Sequence, residues 1–152
     1  MEQALREQLL AEAVKEARKG LNAGGIPIGS VMAIDGEIIG RGHNQRIQKG
    51  SPTLHAEIDC LENAGRRTAE EYQRAILVST LSPCDMCSGA ILLYKIPTLI
   101  VGENRTFQGP EKYVESRGIK TWLMNDPTCI QLMEDFIAAN PSLWNEDIGV
   151  KD

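Results

Sequence analysis

No apolar run in this chain approaches the length of a membrane helix, and the N-terminal stretch MEQALREQLLAEAVKEARKG is charged throughout. The first absence argues against a membrane span and the second against a signal peptide, so the expectation is a cytoplasmic protein. Basic residues are also in short supply. Sixteen Lys and Arg stand against 21 Asp and Glu, for a net charge of −5. Binding a phosphate backbone usually calls for a basic surface, so a nucleic-acid partner is not expected. The longest basic cluster, Arg66-Arg67, reads as a solvated helix end. Aromatics are scarce, at 5% of residues, and core packing is the plain role of each. Linkers, repeats and low-complexity stretches are missing too. The 152 residues, 42% of them apolar, suit one domain over 1–152 with a full core.

What is present is an alternation of helical and strand patterns. Leu5, Leu9, Ala13, Ala17 and Leu21 recur every fourth residue, which predicts an amphipathic helix over 2–20 closed by Gly20. Apolar runs at 27–34 and 37–42 meet at Asp35-Gly36, a strong hairpin signal. Leu54, Ile58 and Leu61 give a helix over 54–64. A strand over 75–81 follows, then a helix from Pro83 to Tyr94 with proline at its first position. A strand over 98–102, a short helix over 111–117, a strand over 120–124 and a helix over 127–139 complete the pattern. Strand–helix alternation after residue 54 implies parallel pairing covered by helices on both faces, and the hairpin adds an antiparallel edge. The expected fold is α/β, a three-layer α/β/α sandwich on a five-stranded mixed sheet.

Two short segments carry the chemistry. His55-Ala56-Glu57 comes first, and Pro83-Cys84-Asp85-Met86-Cys87 follows. Two cysteines three apart in a reducing compartment read as metal ligands before they read as a disulfide. With His55 they offer two thiolates and an imidazole, a zinc-type set. Structural zinc sites have four protein ligands, while catalytic ones have three and keep a position for water. Cys60, Cys129 and His43 have no ligand spacing to the trio. The site therefore reads as open, with Glu57 free beside it to work on the water. Cys84 and Cys87 share a helical face in a first turn, where the helix dipole favours thiolates. His55 and Glu57, two apart, diverge by roughly 200° on a helix. They converge only on a metal lying off the helix end, so two helix N-termini should meet at one zinc. The plainer readings are a redox C-x-x-C and a structural histidine.

The joint pattern resembles the signature of zinc-dependent nucleobase deaminases, H-x-E followed by P-C-x-x-C. The wider sequence resembles the fungal-type cytosine deaminases of the cytidine and deoxycytidylate deaminase superfamily. The matching segments are GGIPIG at 24–29, GRGHNQRIQKG at 40–50, TLHAEIDCLENAGR at 53–66, TLSPCDMCSGAI at 80–91, VGENRTF at 101–107, EKYVESRG at 111–118 and LWNEDIG at 143–149. Ala56 stands where the yeast enzyme of that family has glycine. The resemblance implies a cytidine deaminase-like fold and one zinc per chain on His55, Cys84 and Cys87. It implies Glu57 as proton shuttle and Asn44 as reader of the pyrimidine edge. Phe107 and Trp144 would enclose the base, Asp147 would accept a hydrogen bond from the exocyclic amine, and Ser82 would offer its backbone carbonyl. Taken alone, Asn44 reads as a turn residue, the two rings as core, and Asp147 as a solvated tail charge.

The expected reaction is hydrolysis of a free nucleobase, cytosine to uracil and ammonia, in pyrimidine salvage, with a homodimer implied by the family. The alternatives are a deaminase of guanine, isoguanine or a related amino-heterocycle, a tRNA adenosine deaminase, and a non-enzymatic zinc-stabilised module. The mostly acidic tail NPSLWNEDIGVKD counts against the tRNA reading. Free Glu57 and the missing fourth ligand count against the module.

Overall fold

In the computed structural model, which describes residues 1–152, the hairpin forms where its turn chemistry puts it. Strands β1 (Gly29–Ile34) and β2 (Glu37–His43) pair antiparallel around Asp35 and Gly36. Both turn residues take positive φ, 51° and 84°, as a two-residue hairpin matching strand twist requires. Strand β1 also pairs antiparallel with β3 (Ala75–Leu81). Strand β3 lies parallel to β4 (Thr98–Glu103), and β4 parallel to β5 (Lys120–Leu123). The sheet order is β2-β1-β3-β4-β5.

Strand alternation divides the core between two faces. Val31, Ala33, Val78 and Ile100 face one way. They pack on Leu9, Leu10 and Ala13 of α1 (Gln3–Asn22) and Cys129 of α7 (Pro127–Ala139). Met32, Ile34, Leu77, Leu99 and Val101 face the other way. They meet Cys60 and Ala64 of α3 (Ala56–Ala64) and Ile91 of α5 (Asp85–Tyr94). This is the three-layer sandwich that the alternation predicts. Short helices α2 (Arg46–Lys49), α4 (Ala69–Tyr72) and α6 (Glu111–Ser116) fill the connections, and α8 (Pro141–Asp147) follows α7.

Two expectations are corrected. Gly20 does not end α1, which runs on to Asn22. A Cβ at Gly20 would lie 2.9 Å from the His43 ring, so the glycine serves close packing rather than termination. Pro83 does not occupy the first position of α5. Cys84 is the N-cap and Asp85 the first helical residue, leaving Pro83 just outside.

One close approach sets up the site. A Cβ at Gly42 would come within 2.3 Å of the Cys60 nitrogen. Helix α3 thus lies directly on the backbone of β2, and its N-terminus meets the end of that strand.

Candidate metal centre and its pocket

His55 is the N-cap of α3 and Cys84 the N-cap of α5. Both have extended backbone, so their side chains fold over the open helix ends. Cys87 sits one turn into α5 and is fully buried. The ligand atoms of His55, Cys84 and Cys87 all lie within 4.8 Å of one another. The two helix N-termini therefore meet at one point, as their spacing predicts. Tetrahedral zinc, with Zn–S near 2.3 Å and Zn–N near 2.1 Å, would hold sulfur and nitrogen about 3.6 Å apart. Cys84 Sγ and His55 Nδ1 are 3.4 Å apart. Donor type and spacing both fit zinc.

The other ring nitrogen of His55 is also engaged. Nε2 lies 3.3 Å from Asp147 Oδ1, a carboxylate–histidine pairing that fixes ring orientation and leaves Nδ1 for a metal. Asp147, at the end of α8, is buried and not a solvated tail charge. It also accepts a hydrogen bond from Asn44 Nδ2 at 3.2 Å. Asn44 is fully buried, and its Oδ1 accepts from the Arg46 backbone N–H at 2.9 Å. Both ends of that amide are thereby assigned.

Protons without a metal distribute as a ligand cluster would predict. A hydrogen bond from Cys87 carries the Cys84 thiol down to about 4 against the cost of burial, and His55 helps. The same hydrogen bond and burial push the Cys87 thiol up. Burial works against the charged form of His55, but its bonds to Asp147 and Cys84 outweigh this and raise it to about 10. A divalent cation displaces such protons when it binds. Glu57 is buried beside the trio, outside the ligand set. Burial and the Cys84 thiolate lift its carboxyl from 4.5 to about 7, with His55 opposing.

These groups open onto a small pocket of about 20 Å³. Its lining includes Glu57, Ser82, Phe107, Trp144, Asp147 and Ile148. Phe107 and Trp144 meet edge to face, ring centres 6.0 Å apart. The structure thus brings eight of the nine predicted site residues to one place, with Asn44 joined to them through Asp147.

Three supporting residues escape a reading of the sequence alone. Glu103, fully buried at the end of β4, accepts from the Arg105 and Thr106 backbone N–H groups at 2.6 and 2.9 Å. That bends the loop leading into Phe107. Glu111 accepts from Ser82 Oγ at 2.6 Å and from Asn104 Nδ2 at 3.0 Å. Arg46 spans from the start of α2 to α8, reaching Glu146 at 3.2 Å. The one available signal was Glu103, a charge closing an apolar strand, which demands partners when buried.

Residues 3–103 match the family model described as the cytidine and deoxycytidylate deaminase zinc-binding region. A cytosine deaminase from Candida albicans is 48% identical over 141 residues, covering 92% of this chain and 94% of that protein. A tRNA-specific adenosine deaminase from Streptococcus pyogenes is 43% identical over 115 residues, covering 73% of this chain and 72% of that one. Among solved structures, a guanine deaminase from Nitrosomonas europaea shares the fold with a TM-score of 0.69 at 20% identity, over 86% of this chain and 83% of that one. With the three ligands and Glu57 in place, the chain belongs to the cytidine and deoxycytidylate deaminase family and is a zinc-dependent hydrolytic deaminase of the fungal-type cytosine deaminase branch.

Proposed function

We propose that this enzyme converts free cytosine to uracil and ammonia in pyrimidine salvage, as a cytoplasmic homodimer. The observation that carries the reaction is the three-ligand cluster facing a pocket that also holds buried Glu57. The choice of cytosine rests on the similarity to the Candida albicans enzyme over nearly the whole of both chains.

When bound, zinc makes water nucleophilic at neutral pH by lowering its pKa. Glu57 takes a proton from the attacking water and delivers it to the ring nitrogen beside the amino-bearing carbon. It then takes the remaining proton of the added hydroxyl and passes it to the amine, and ammonia leaves as that oxygen becomes the carbonyl. A cation held by His55, Cys84 and Cys87 would favour the ionised form of Glu57, which suits a group that acts as base first and acid second. Asp147 accepts from the exocyclic amine, joined by the Ser82 carbonyl, which accepts no hydrogen bond from the backbone. Asn44 reads the ring edge. Phe107 and Trp144 flank the base and keep water out. Trp144, Asp147 and Ile148 line this pocket, so movement of α8 and the residue after it would widen the way in for a base and the way out for a product.

Support for the dimer comes from α5. Only Cys87, Ser88 and Ile91 of its ten residues are buried, and Met86, Leu93 and Tyr94 are exposed. An apolar face with Asp85 at one end and Lys95 beyond the other suits antiparallel packing against a second copy.

A tRNA substrate is the second reading, favoured by the Streptococcus pyogenes relative. The net charge of −5 and the small pocket under α8 weigh against it. Ammonia release should be measured in parallel on cytosine, cytidine, guanine, isoguanine, adenine and tRNA. Cytosine alone should react. Turnover of a purine base with inert cytosine would overturn the substrate while sparing the chemistry. Turnover of cytidine alone would remove the closed lid as well.

A further inference from the structure

Asp59 lies on α3 one turn beyond His55, outside both the ligand set and the pocket lining. It is buried, at 4% exposure, and ionisable, and the chemistry described above gives it no task. Its carboxylate accepts from the His43 backbone N–H at 3.0 Å and from Gln45 Nε2 at 3.5 Å. Those residues flank Asn44 on either side. The rest of that turn is tied elsewhere. The Asn44 N–H donates to the Ile28 carbonyl, and the Gln45 N–H to the Leu54 carbonyl. Asp59 alone joins the turn by a side chain to the helix that carries His55 and Glu57. Its own N–H donates to the His55 carbonyl at 2.9 Å.

The contacts close a circuit. Asp59 holds the His43–Gln45 turn, Asn44 in that turn donates to Asp147, Asp147 faces His55 Nε2, and His55 leads back along α3 to Asp59. Three separate elements thus fix one another around the metal position. A charge-assisted hydrogen bond between buried groups is the strong kind. Its acceptor here is a carboxylate whose removal leaves the His43 N–H buried and unmet.

We propose that Asp59 is a positioning residue for substrate recognition, acting through Asn44 to set the base-reading amide relative to the metal ligands. The inference rests on the substrate site proposed above. Steady-state kinetics and zinc content should be measured on the zinc-loaded wild type, Asp59→Asn, Asp59→Ser, Asp59→Ala, Asn44→Ala and the Asn44→Ala/Asp59→Ala double variant. The base used is whichever one the wild type deaminates, so a wrong substrate does not disable the test.

Asp59→Asn keeps an acceptor for His43 and should hold KM within about threefold. Asp59→Ala should raise KM by roughly tenfold or more, the weight of one charge-assisted hydrogen bond, with kcat and zinc content little changed. Asp59→Ser, a shorter acceptor in the same space, should fall between and provides the measurement if the alanine variant does not fold. In the Asn44→Ala background, Asp59→Ala should cost nothing more in kcat/KM. An unchanged KM in both Asp59→Ala and Asp59→Ser overturns the proposal. So does loss of zinc in step with activity, or full additivity with Asn44→Ala.

Discussion

Glu57→Gln separates the chemistry of the site from its stability, because the two respond in opposite directions. Gln matches Glu in shape but carries no proton, so deamination should fall by a factor of about 10²–10⁴ or more. Zinc content should hold at one per chain, since Glu57 lies outside the ligand trio. The same substitution removes a buried carboxyl that burial and the Cys84 thiolate have lifted from 4.5 to about 7. At 1.36 kcal/mol per pH unit, ionising it costs the metal-free fold about 3 kcal/mol. Because the folded value is the higher one, the folded state binds more protons between pH 4.5 and about 7. Stability therefore falls as pH rises through that window and stays low above it. Glu57→Gln abolishes this fall. After chelation, the mutant should be more stable than wild type at pH 8, and the two should converge near pH 4. Urea melts of the chelated proteins at the two pH values read the stability, and ammonia release by the zinc-loaded proteins reads the chemistry. A mutant within tenfold of wild-type activity would remove Glu57 from the mechanism. A chelated mutant with the wild-type pH slope would refute the charge reasoning.

Cys84→Ala and Cys87→Ala should each lose zinc along with activity, measured by metal analysis of the purified protein, and full retention in either would sink the ligand assignment. In the chelated chain, iodoacetamide should label Cys84, partly exposed and with its thiol down at about 4, and zinc should protect it. Cys60 should stay unlabelled, since it is buried and its thiol is pushed up to about 12; equal labelling rates by mass spectrometry would contradict this. Gly42→Ala should cost about 1–3 kcal/mol in urea melts, because its Cβ would meet the Cys60 nitrogen at 2.3 Å. A neutral result would mean that α3 can lift off β2.

The elements legible in the sequence are those with sustained periodicity or turn chemistry. Helix α1, the Asp35-Gly36 hairpin and the strands of the parallel half fall within a few residues of their expected bounds. Helix α8 does not announce itself in this way. It is seven residues long, with Leu143 and Trp144 adjacent rather than spaced along one face. Its structure comes from packing of Trp144 and Ile148 on Met133 and Phe136. Pro83 misled because proline favours the first helical position, yet here Cys84 must cap α5 to turn its sulfur toward the metal. The ligand trio was legible because spacing along two helices dictates it. The contacts of Asp147 with Asn44 and His55 were not, because they join segments up to 103 residues apart and nothing local encodes them.

That long-range pairing has a consequence in time. Asn44 meets Asp147 across 103 residues, whereas the three metal ligands are complete once Cys87 has been made. At about 5–20 residues per second, a ribosome needs roughly 5–20 s to travel from the first partner to the second. For most of that interval the nascent chain holds every donor for zinc and no finished wall for a base. Synthesis on the ribosome therefore completes the donor set well before the wall that a base needs. A chain translated past the ligands, but short of α8, holds every donor for zinc and lacks the carboxylate and the ring that α8 brings to the pocket.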